Sequence, residues 1–136
     1  MTLSNLKSKI EFTQKDWDLM ELVVNVLKPF KDATLMLQHR DASISMCIPF
    51  VTGIITGLEV VNADRGVMTL KRALKQNMEE RFSNIEYNRH FTISTLLDSK
   101  YKSCFYREPD TFTQAKEYLT EELIELLQQD TSTQVN

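Results

Sequence analysis

The longest run of hydrophobic positions in the chain lies between Phe12 and Leu37 and follows a helical period. Its apolar side chains recur every three or four residues, at Trp17, Met20, Val24 and Leu27. Further apolar residues between them widen the stripe, which predicts a central helix covered by neighbouring helices on more than one side.

Two sequence features predict where this first helix begins and where it is kinked. Thr13 and Asp16 have the spacing of a capping box, in which each side chain satisfies a backbone amide of the other residue. Pro29 has no amide hydrogen and crowds the preceding turn. Because the apolar pattern resumes at Phe30, we predict a helix that is kinked at Pro29 and continues to Leu37.

Hydrophobic periodicity predicts three more helices after the first one. Ser43 is the expected N-cap of a helix over residues 44–61, and Pro49 falls early enough to make its first turn irregular. A third helix is predicted over residues 67–82, and a last helix follows Pro109.

The short apolar run at residues 91–97 is compatible with either a strand or a helix. The predicted fold class is therefore all-α, with four to five helices and one short strand near residues 91–97 as the open alternative. We expect a flexible lead-in over residues 1–11, a helical domain over 12–129 and a disordered tail over 130–136.

Composition indicates one ordinary globular domain and no general attraction to nucleic acid or membrane. The chain has 136 residues, of which 42% are hydrophobic and 26% charged, and its net charge is −3. No apolar run reaches the ~20 residues of a membrane span, and no secretory signal is recognisable at the N-terminus. Two cysteines 57 residues apart do not form a disulfide framework. These features leave the cytoplasm or the nucleus as the expected location.

No constellation of residues predicts a catalytic, metal or cofactor site. The residues that could ligate zinc do not have zinc-site spacing, namely His39, Cys47, His90 and Cys104. Neither cysteine has a histidine that the sequence places beside it, so nucleophilic catalysis is not indicated. We expect no catalytic residue, no metal, no cofactor and no small-molecule substrate.

The charge distribution is uneven, and its basic part is the best candidate for a binding surface. Residues 64–107 carry nine basic and five acidic groups, net +4, whereas residues 108–136 carry one basic and seven acidic groups, net −6. Basic side chains neutralise phosphates, and the interleaved aromatic residues can stack on unpaired bases. The candidate DNA-binding residues are Lys71, Arg72, Lys75, Arg81, Arg89, Lys100, Tyr101 and Lys102.

Two alternatives to DNA contact remain open for the charged segments. The basic residues would equally suit a solvated helix face that forms salt bridges to the acidic last helix. Lys71, Arg72 and Lys75 are predicted to share one such face on the third helix. That last helix, residues 111–129, has an apolar stripe that packs either inside its own domain or against another chain, so self-association or a protein partner is the second possibility.

Three segments in this order resemble the hAT-superfamily transposases, and in particular the domesticated zinc finger BED domain-containing proteins of the type-4-like subgroup. They are DWDLMELVVNVLKPFKDAT at residues 16–34, DASISMCIPFVTGI at 41–54 and ISTLLDSKYK at 93–102. The resemblance covers about residues 10–125. It implies part of the helical insertion and the return toward a ribonuclease-H-like core. The family usually has Pro-Arg after the aspartate of LDPRYK, where this chain has Ser99 and Lys100 after Asp98.

The resemblance also predicts which functions are absent from this stretch. We find no Cys-x-x-Cys followed by His-x-x-x-His, so no BED finger is expected, and Asp98 is not one of the three catalytic acids of the family. The leading hypothesis is a non-catalytic, transposase-derived helical domain associated with DNA binding in the nucleus. The alternatives are a protein-interaction module without DNA contact and a transposon remnant without a function.

Overall fold

The computed structural model describes residues 11–59 and 66–133, and within these ranges it contains five α-helices, two 3-10 turns and no strand. The 3-10 turns cover Ile44–Met46 and Ile85–Tyr87. The α-helices are α1 (Gln14–Leu37), α2 (Cys47–Glu59), α3 (Met68–Arg81), α4 (Arg89–Leu97) and α5 (Pro109–Thr133). The predicted all-α fold is confirmed.

Helix α1 begins at the predicted capping box and passes through Pro29. The Asp16 carboxylate accepts a hydrogen bond of 2.8 Å from the Thr13 amide, and the Thr13 hydroxyl accepts one of 3.3 Å from the Asp16 amide. One helix runs from Gln14 to Leu37, which confirms the predicted continuation beyond the proline. The kink at Pro29 stays a prediction.

The central position that we predicted for α1 is wrong. Val26 is the one buried residue within this helix, whereas Trp17 is 56% exposed and Val24 63% exposed. The side that carries Val26 packs with Leu58 of α2 and with Val67, which precedes α3. Apolar periodicity shows which sides of a helix are suited to burial, but it does not show which of them another element covers.

Helix α2 has the central place instead. It contacts α1, α3 and α4, and its fully buried side chains are Ile48 and Ile55. Its start is irregular as predicted, since a 3-10 turn at Ile44–Met46 precedes the α-helix. The predicted helical residues 60 and 61 lie outside the described residues, as do residues 1–10 of the lead-in.

The run at residues 91–97 is helical, so the short strand considered for it is wrong. The side chain of Asn88 accepts hydrogen bonds from the amides of His90, at 3.1 Å, and Phe91, at 3.4 Å, and thereby caps α4. Thr92 and Thr95 are fully buried on this helix. Their small side chains allow α4 to lie close to the first 3-10 turn and to α5.

Helix α5 packs inside the domain through its first turns and extends beyond it. Thr111 and Ala115 are fully buried, whereas Leu123 is 52% and Leu127 68% exposed. The helix continues to Thr133, past the predicted boundary at residue 129, and residues 134–136 lie outside the described part. Among the helices of residues 11–59 and 66–133, none combines the length and the hydrophobicity that a membrane span requires.

Candidate nucleic-acid interface

The turn that follows α4, residues 98–102, is held together by Asp98. Its carbonyl oxygen accepts hydrogen bonds from the amides of Tyr101, at 3.0 Å, and Lys102, at 2.9 Å. Its carboxylate accepts one from the Lys100 amide at 2.9 Å and one from the Ser45 hydroxyl at 2.6 Å. These four bonds fix the backbone of the turn.

Asp98 is stabilised in its charged form. The hydrogen bond from the Ser45 hydroxyl, followed by the one from the Lys100 amide, holds the pKa of the Asp98 carboxyl below its usual range. Ser45 belongs to the preceding 3-10 turn and is itself buried. The turn is therefore tied to the body of the domain by a charge-assisted hydrogen bond that persists at neutral pH.

Within this turn the aromatic side chain points inward and the lysines lie outside. Tyr101 is 7% exposed and makes an edge-to-face contact with Phe105, with ring centroids 5.6 Å apart. The Lys100 ammonium lies 5.5 Å from the centroid of the Tyr101 ring, and Lys100 and Lys102 are both exposed. Lys102 has a positive φ of 44°. Tyr101 therefore anchors the turn, and its ring is too buried to stack on a base.

On α3, the predicted exposed face shared by Lys71, Arg72 and Lys75 is wrong. Lys71 is 7% exposed, whereas Arg72 is exposed. The Lys75 ammonium lies 3.2 Å from a Glu79 carboxylate oxygen and 3.3 Å from one of Glu59, and these contacts, with Glu79 the stronger, raise the pKa of Lys75. Residues 71 and 75 are one helical turn apart, with Lys71 buried and the Lys75 side chain 33% exposed, whereas Arg72 leaves the helix on a different side and is exposed.

A second cation shares the two carboxylates that bind Lys75. One guanidinium nitrogen of Arg107 lies 3.5 Å from Glu79 and 3.8 Å from Glu59. The charges of these four side chains cancel within the cluster, which leaves little net positive potential for a phosphate.

Arg89 also pairs within the chain, and it does so with the acidic last helix. Its guanidinium donates to Glu122 at 2.8 Å and to Glu121 at 2.9 Å, and it lies 5.2 Å from the centroid of the Tyr118 ring. The hydrogen bond to Glu122 is the main cause that raises the pKa of Arg89. Arg89 therefore forms salt bridges to the last helix, which was the alternative to DNA contact considered for the basic residues.

Four of the eight candidate residues remain exposed and more than 4 Å from any carboxylate oxygen in the described part of the chain. We call them the open cations, and they are Arg72, Arg81, Lys100 and Lys102. Lys100 and Lys102 share the fixed turn. Arg72 lies in the second turn of α3 and Arg81 is its last residue, nine positions further on.

The contact between Ser45 and Asp98 was not predicted from the sequence. The two residues are 53 positions apart, and each lies in a different segment of the three that carry the resemblance. Neither periodicity nor spacing in the sequence pairs them.

The described residues were also compared with the requirements of a metal site and of a reactive thiol. There, no group of three or more His, Cys, Asp or Glu side chains is placed to hold a metal ion. Burial raises the pKa of the Cys47 thiol, which disfavours the reactive thiolate, and Cys104 is an exposed free cysteine.

Comparison with curated proteins identifies relatives over most of this chain. Human zinc finger BED domain-containing protein 4 is 31% identical over 108 residues, which cover 79% of this chain. Human and mouse zinc finger BED domain-containing protein 6 are each 24% identical over 127 residues, or 85% of this chain. The chain belongs to the family of zinc finger BED domain-containing proteins. The resemblance found from the three segments is thereby confirmed, while the type-4-like subgroup stays a prediction.

The chain corresponds to a small part of these relatives. It spans 9% of the length of zinc finger BED domain-containing protein 4 and 13% of that of protein 6. No family model matches the chain, and no solved structure matches it.

Proposed function

We propose that the chain is a non-catalytic helical module of a nuclear zinc finger BED domain-containing protein, and that it contacts the DNA backbone through the turn at residues 98–102. The observation that carries this proposal is the construction of the turn. Asp98 fixes its backbone and Tyr101 anchors it in the domain, while Lys100 and Lys102 are exposed and have no carboxylate oxygen within 4 Å in the described ranges.

A fixed pair of lysines is well suited to contact phosphate. Lysine is a compact charge whose binding to DNA releases counterions and requires no particular base. Because the turn is already ordered by its hydrogen bonds, little backbone entropy is lost when a phosphate binds. Such contacts position a protein on DNA and leave sequence recognition to other elements.

Arg72 and Arg81 are secondary candidates for phosphate contact. Nine residues of α-helix correspond to two and a half turns, so the two side chains leave α3 on opposite sides, about 13 Å apart along the axis. A single stretch of backbone that reached one would not reach the other from the same face. The proposal therefore assigns the main contact to the turn.

The other four candidates support the domain and do not bind phosphate in this proposal. Lys71 and Tyr101 are buried. Lys75 and Arg89 form ion pairs with Glu79 and Glu122, among others, and a phosphate would have to displace these carboxylates.

A charge-reversal pair tests the assignment by fluorescence anisotropy of a labelled duplex. Lys100→Glu/Lys102→Glu should weaken binding and lower the slope of log affinity against log salt by about 2, roughly one for each lost phosphate contact. The matched control is Lys15→Glu/Lys116→Glu, which changes the net charge equally at exposed positions on α1 and α5. An equal loss in the control, or no loss in the turn variant, would contradict the assignment.

A second function, protein interaction without DNA contact, is favoured by a different observation. The outer side of α1 exposes large apolar side chains, with Val24 at 63% exposure and Trp17, whose ring contacts that of Phe12 at a centroid distance of 5.5 Å, at 56%. This function predicts no binding of the duplex even at low salt, together with an association that depends on Val24. The two functions are separable because the open cations and this apolar side do not share a residue.

A further inference from the structure

Helix α1 carries a continuous stripe of exposed apolar side chains on the side that does not pack against the core. We call it the outer stripe. Its members are Trp17 at 56% exposure, Met20 at 39%, Val24 at 63% and Leu27 at 42%. For comparison, the inner side of the same helix packs with α2 and α3 through Leu22, Val23, Val26 and Phe30.

The spacing of the outer stripe is that of a coiled-coil seam. Its four residues follow one another at intervals of three, four and three, which corresponds to alternating a and d positions of a heptad. At 100° per residue, this stripe lies about a third of a turn from the inner side. A second helix could therefore pack on the outer stripe without displacing α2 or α3.

Charged residues beside the stripe distinguish the possible partners. Glu21 follows Met20 and Lys28 follows Leu27, so both charges flank the seam on the same side. Both are exposed, and neither has an ion-pair partner within 4 Å in the described ranges. Seven residues separate them, about 10 Å along the helix, which is too far for them to pair with each other in one copy.

The charge of α1 changes sign along its length in a self-complementary way. Residues 14–25 hold Lys15 against Asp16, Asp18 and Glu21, one minus three, net −2, and residues 26–37 hold Lys28 and Lys31 against Asp32, two minus one, net +1. Two copies that lie antiparallel set the acidic half of each helix beside the basic half of the other. Two parallel copies would set like charges together, which is unfavourable.

We propose that the outer stripe packs against α1 of a second copy of this chain, with the two α1 helices antiparallel. A crossing centred between Val24 and Leu27 sets Val24 of each copy against Leu27 of the other, and it places Met20 and Trp17 opposite Lys31 and Thr34. It also brings Glu21 of each copy near Lys28 of the other, twice across the two-fold axis. The exposed apolar side chains explain the affinity, and the two ion pairs explain the orientation. This proposal does not depend on DNA binding, and it names a partner for the protein-interaction function.

Sedimentation velocity of the full chain over a range of concentrations tests the proposal. The wild-type chain should pass from monomer to dimer, and the emission of Trp17, the one tryptophan of the sequence, should shift to shorter wavelength as its ring is buried. Val24→Glu should raise the dimer dissociation constant by about tenfold or more, since it places an unpaired charge at the centre of the seam. The control Leu126→Glu, at an apolar α5 position that is 55% exposed, should leave the constant unchanged.

Charge exchange then tests the orientation. Glu21→Lys and Lys28→Glu should each weaken the dimer, and Glu21→Lys/Lys28→Glu should restore it, because the double variant re-forms both pairs with their signs reversed. A chain that stays monomeric throughout, or a dimer that Val24→Glu leaves intact, would overturn the proposal. So would a monomer whose outer stripe instead binds a different protein in a Val24-dependent manner, and that outcome would retain the protein-interaction function. Loss in both single variants without recovery in the double variant would overturn the antiparallel arrangement.

Discussion

At the scale of single residues, the buried carboxylate of Glu86 joins the second 3-10 turn to the start of α5. It is 7% exposed and accepts hydrogen bonds from the Arg107 amide at 3.0 Å, the Glu108 amide at 3.3 Å and the Thr111 hydroxyl at 2.8 Å. A negative charge at a helix N-terminus also interacts favourably with the helix dipole.

We therefore expect the loss of the Glu86 carboxylate to lower the free energy of unfolding more than the loss of an exposed glutamate of the same size would. Glu86→Ala leaves the Arg107 and Glu108 amides without their acceptor, while the Thr111 hydroxyl keeps the Glu108 carbonyl at 2.7 Å, so we expect the free energy of unfolding to fall by about 2–4 kcal/mol in urea titrations. The exposed Glu125→Ala on α5 serves as the control and should change it by less than about 0.5 kcal/mol. Similar values for the two variants would show that Glu86 is not the link between these elements.

The lowered pKa of Asp98 predicts that the stability of the fold decreases at acid pH. Its pKa is lowered in the folded chain, so the charged carboxylate stabilises the fold above the pKa of the unfolded chain. That stability is lost as the pH falls through the acid range toward the folded pKa. Ser45→Ala removes the largest cause and should raise the pKa of Asp98, measured from its carboxyl carbon shift by NMR. Ser103→Ala, in the next turn, should leave it unchanged; an unchanged pKa in Ser45→Ala would contradict the role of this hydrogen bond.

Arg89 provides a test that separates a structural cation from a phosphate-binding one. Its guanidinium forms two hydrogen bonds to different carboxylates of α5, which a lysine cannot reproduce with the same geometry. Arg89→Lys keeps the charge and should lower the urea midpoint nearly as much as Arg89→Ala, while DNA affinity stays at the wild-type level. A midpoint that only Arg89→Ala lowers would mean that charge alone matters at this position.

At the scale of the helices, Pro29 is the main local irregularity of α1. It is exposed in the middle of the helix and cannot donate to the carbonyl of Asn25. Pro29→Ala restores that hydrogen bond, and we expect the free energy of unfolding to rise by about 1–3 kcal/mol with a stronger helical circular dichroism signal. Lys31→Ala on the same helix is the control and should have little effect. A loss of stability in Pro29→Ala would show that the ring itself is needed for packing.

The sequence predicted helices well where a cap and a period agree. Thr13 with Asp16 marked the start of α1, and the early Pro49 indicated the irregular first turn before α2. The strand alternative at residues 91–97 arose because the apolar run is short, although Asn88, the N-cap of α4, was visible as a helix-start residue. Which helix is central could not be predicted, because α1 and α2 both have wide apolar stripes and only contacts distant in sequence decide which one is covered.

For the candidate site too, contacts between residues distant in sequence limited what could be predicted. Basic residues are visible in a sequence, but the carboxylates that neutralise them are not assigned to them. Lys75 meets Glu59 of α2 and Arg89 meets Glu122 of α5, 33 positions away. Lys100 and Lys102 of the turn at residues 98–102 were among the predicted candidates, whereas Ser45, which binds Asp98 of this turn, lies 53 positions before it.

At the scale of the whole molecule, the exposed features lie on different elements and suggest different partners. The open cations lie on α3 and on the turn after α4, and the outer stripe lies on α1. A dimer through α1 would carry two copies of the Lys100–Lys102 turn, so its DNA affinity would exceed that of one copy where the duplex reaches both turns.

The central claim is that this chain contacts DNA phosphates through the turn at residues 98–102, and the salt dependence of duplex binding tests it most directly. Fluorescence anisotropy of a labelled duplex at low and moderate salt should give an affinity that falls steeply as salt rises, with at least two counterions released per turn. The control is a duplex of different sequence, which should bind with the same affinity, since backbone contacts carry no base recognition. The absence of binding at low salt, or an affinity that does not change with salt, would contradict the claim.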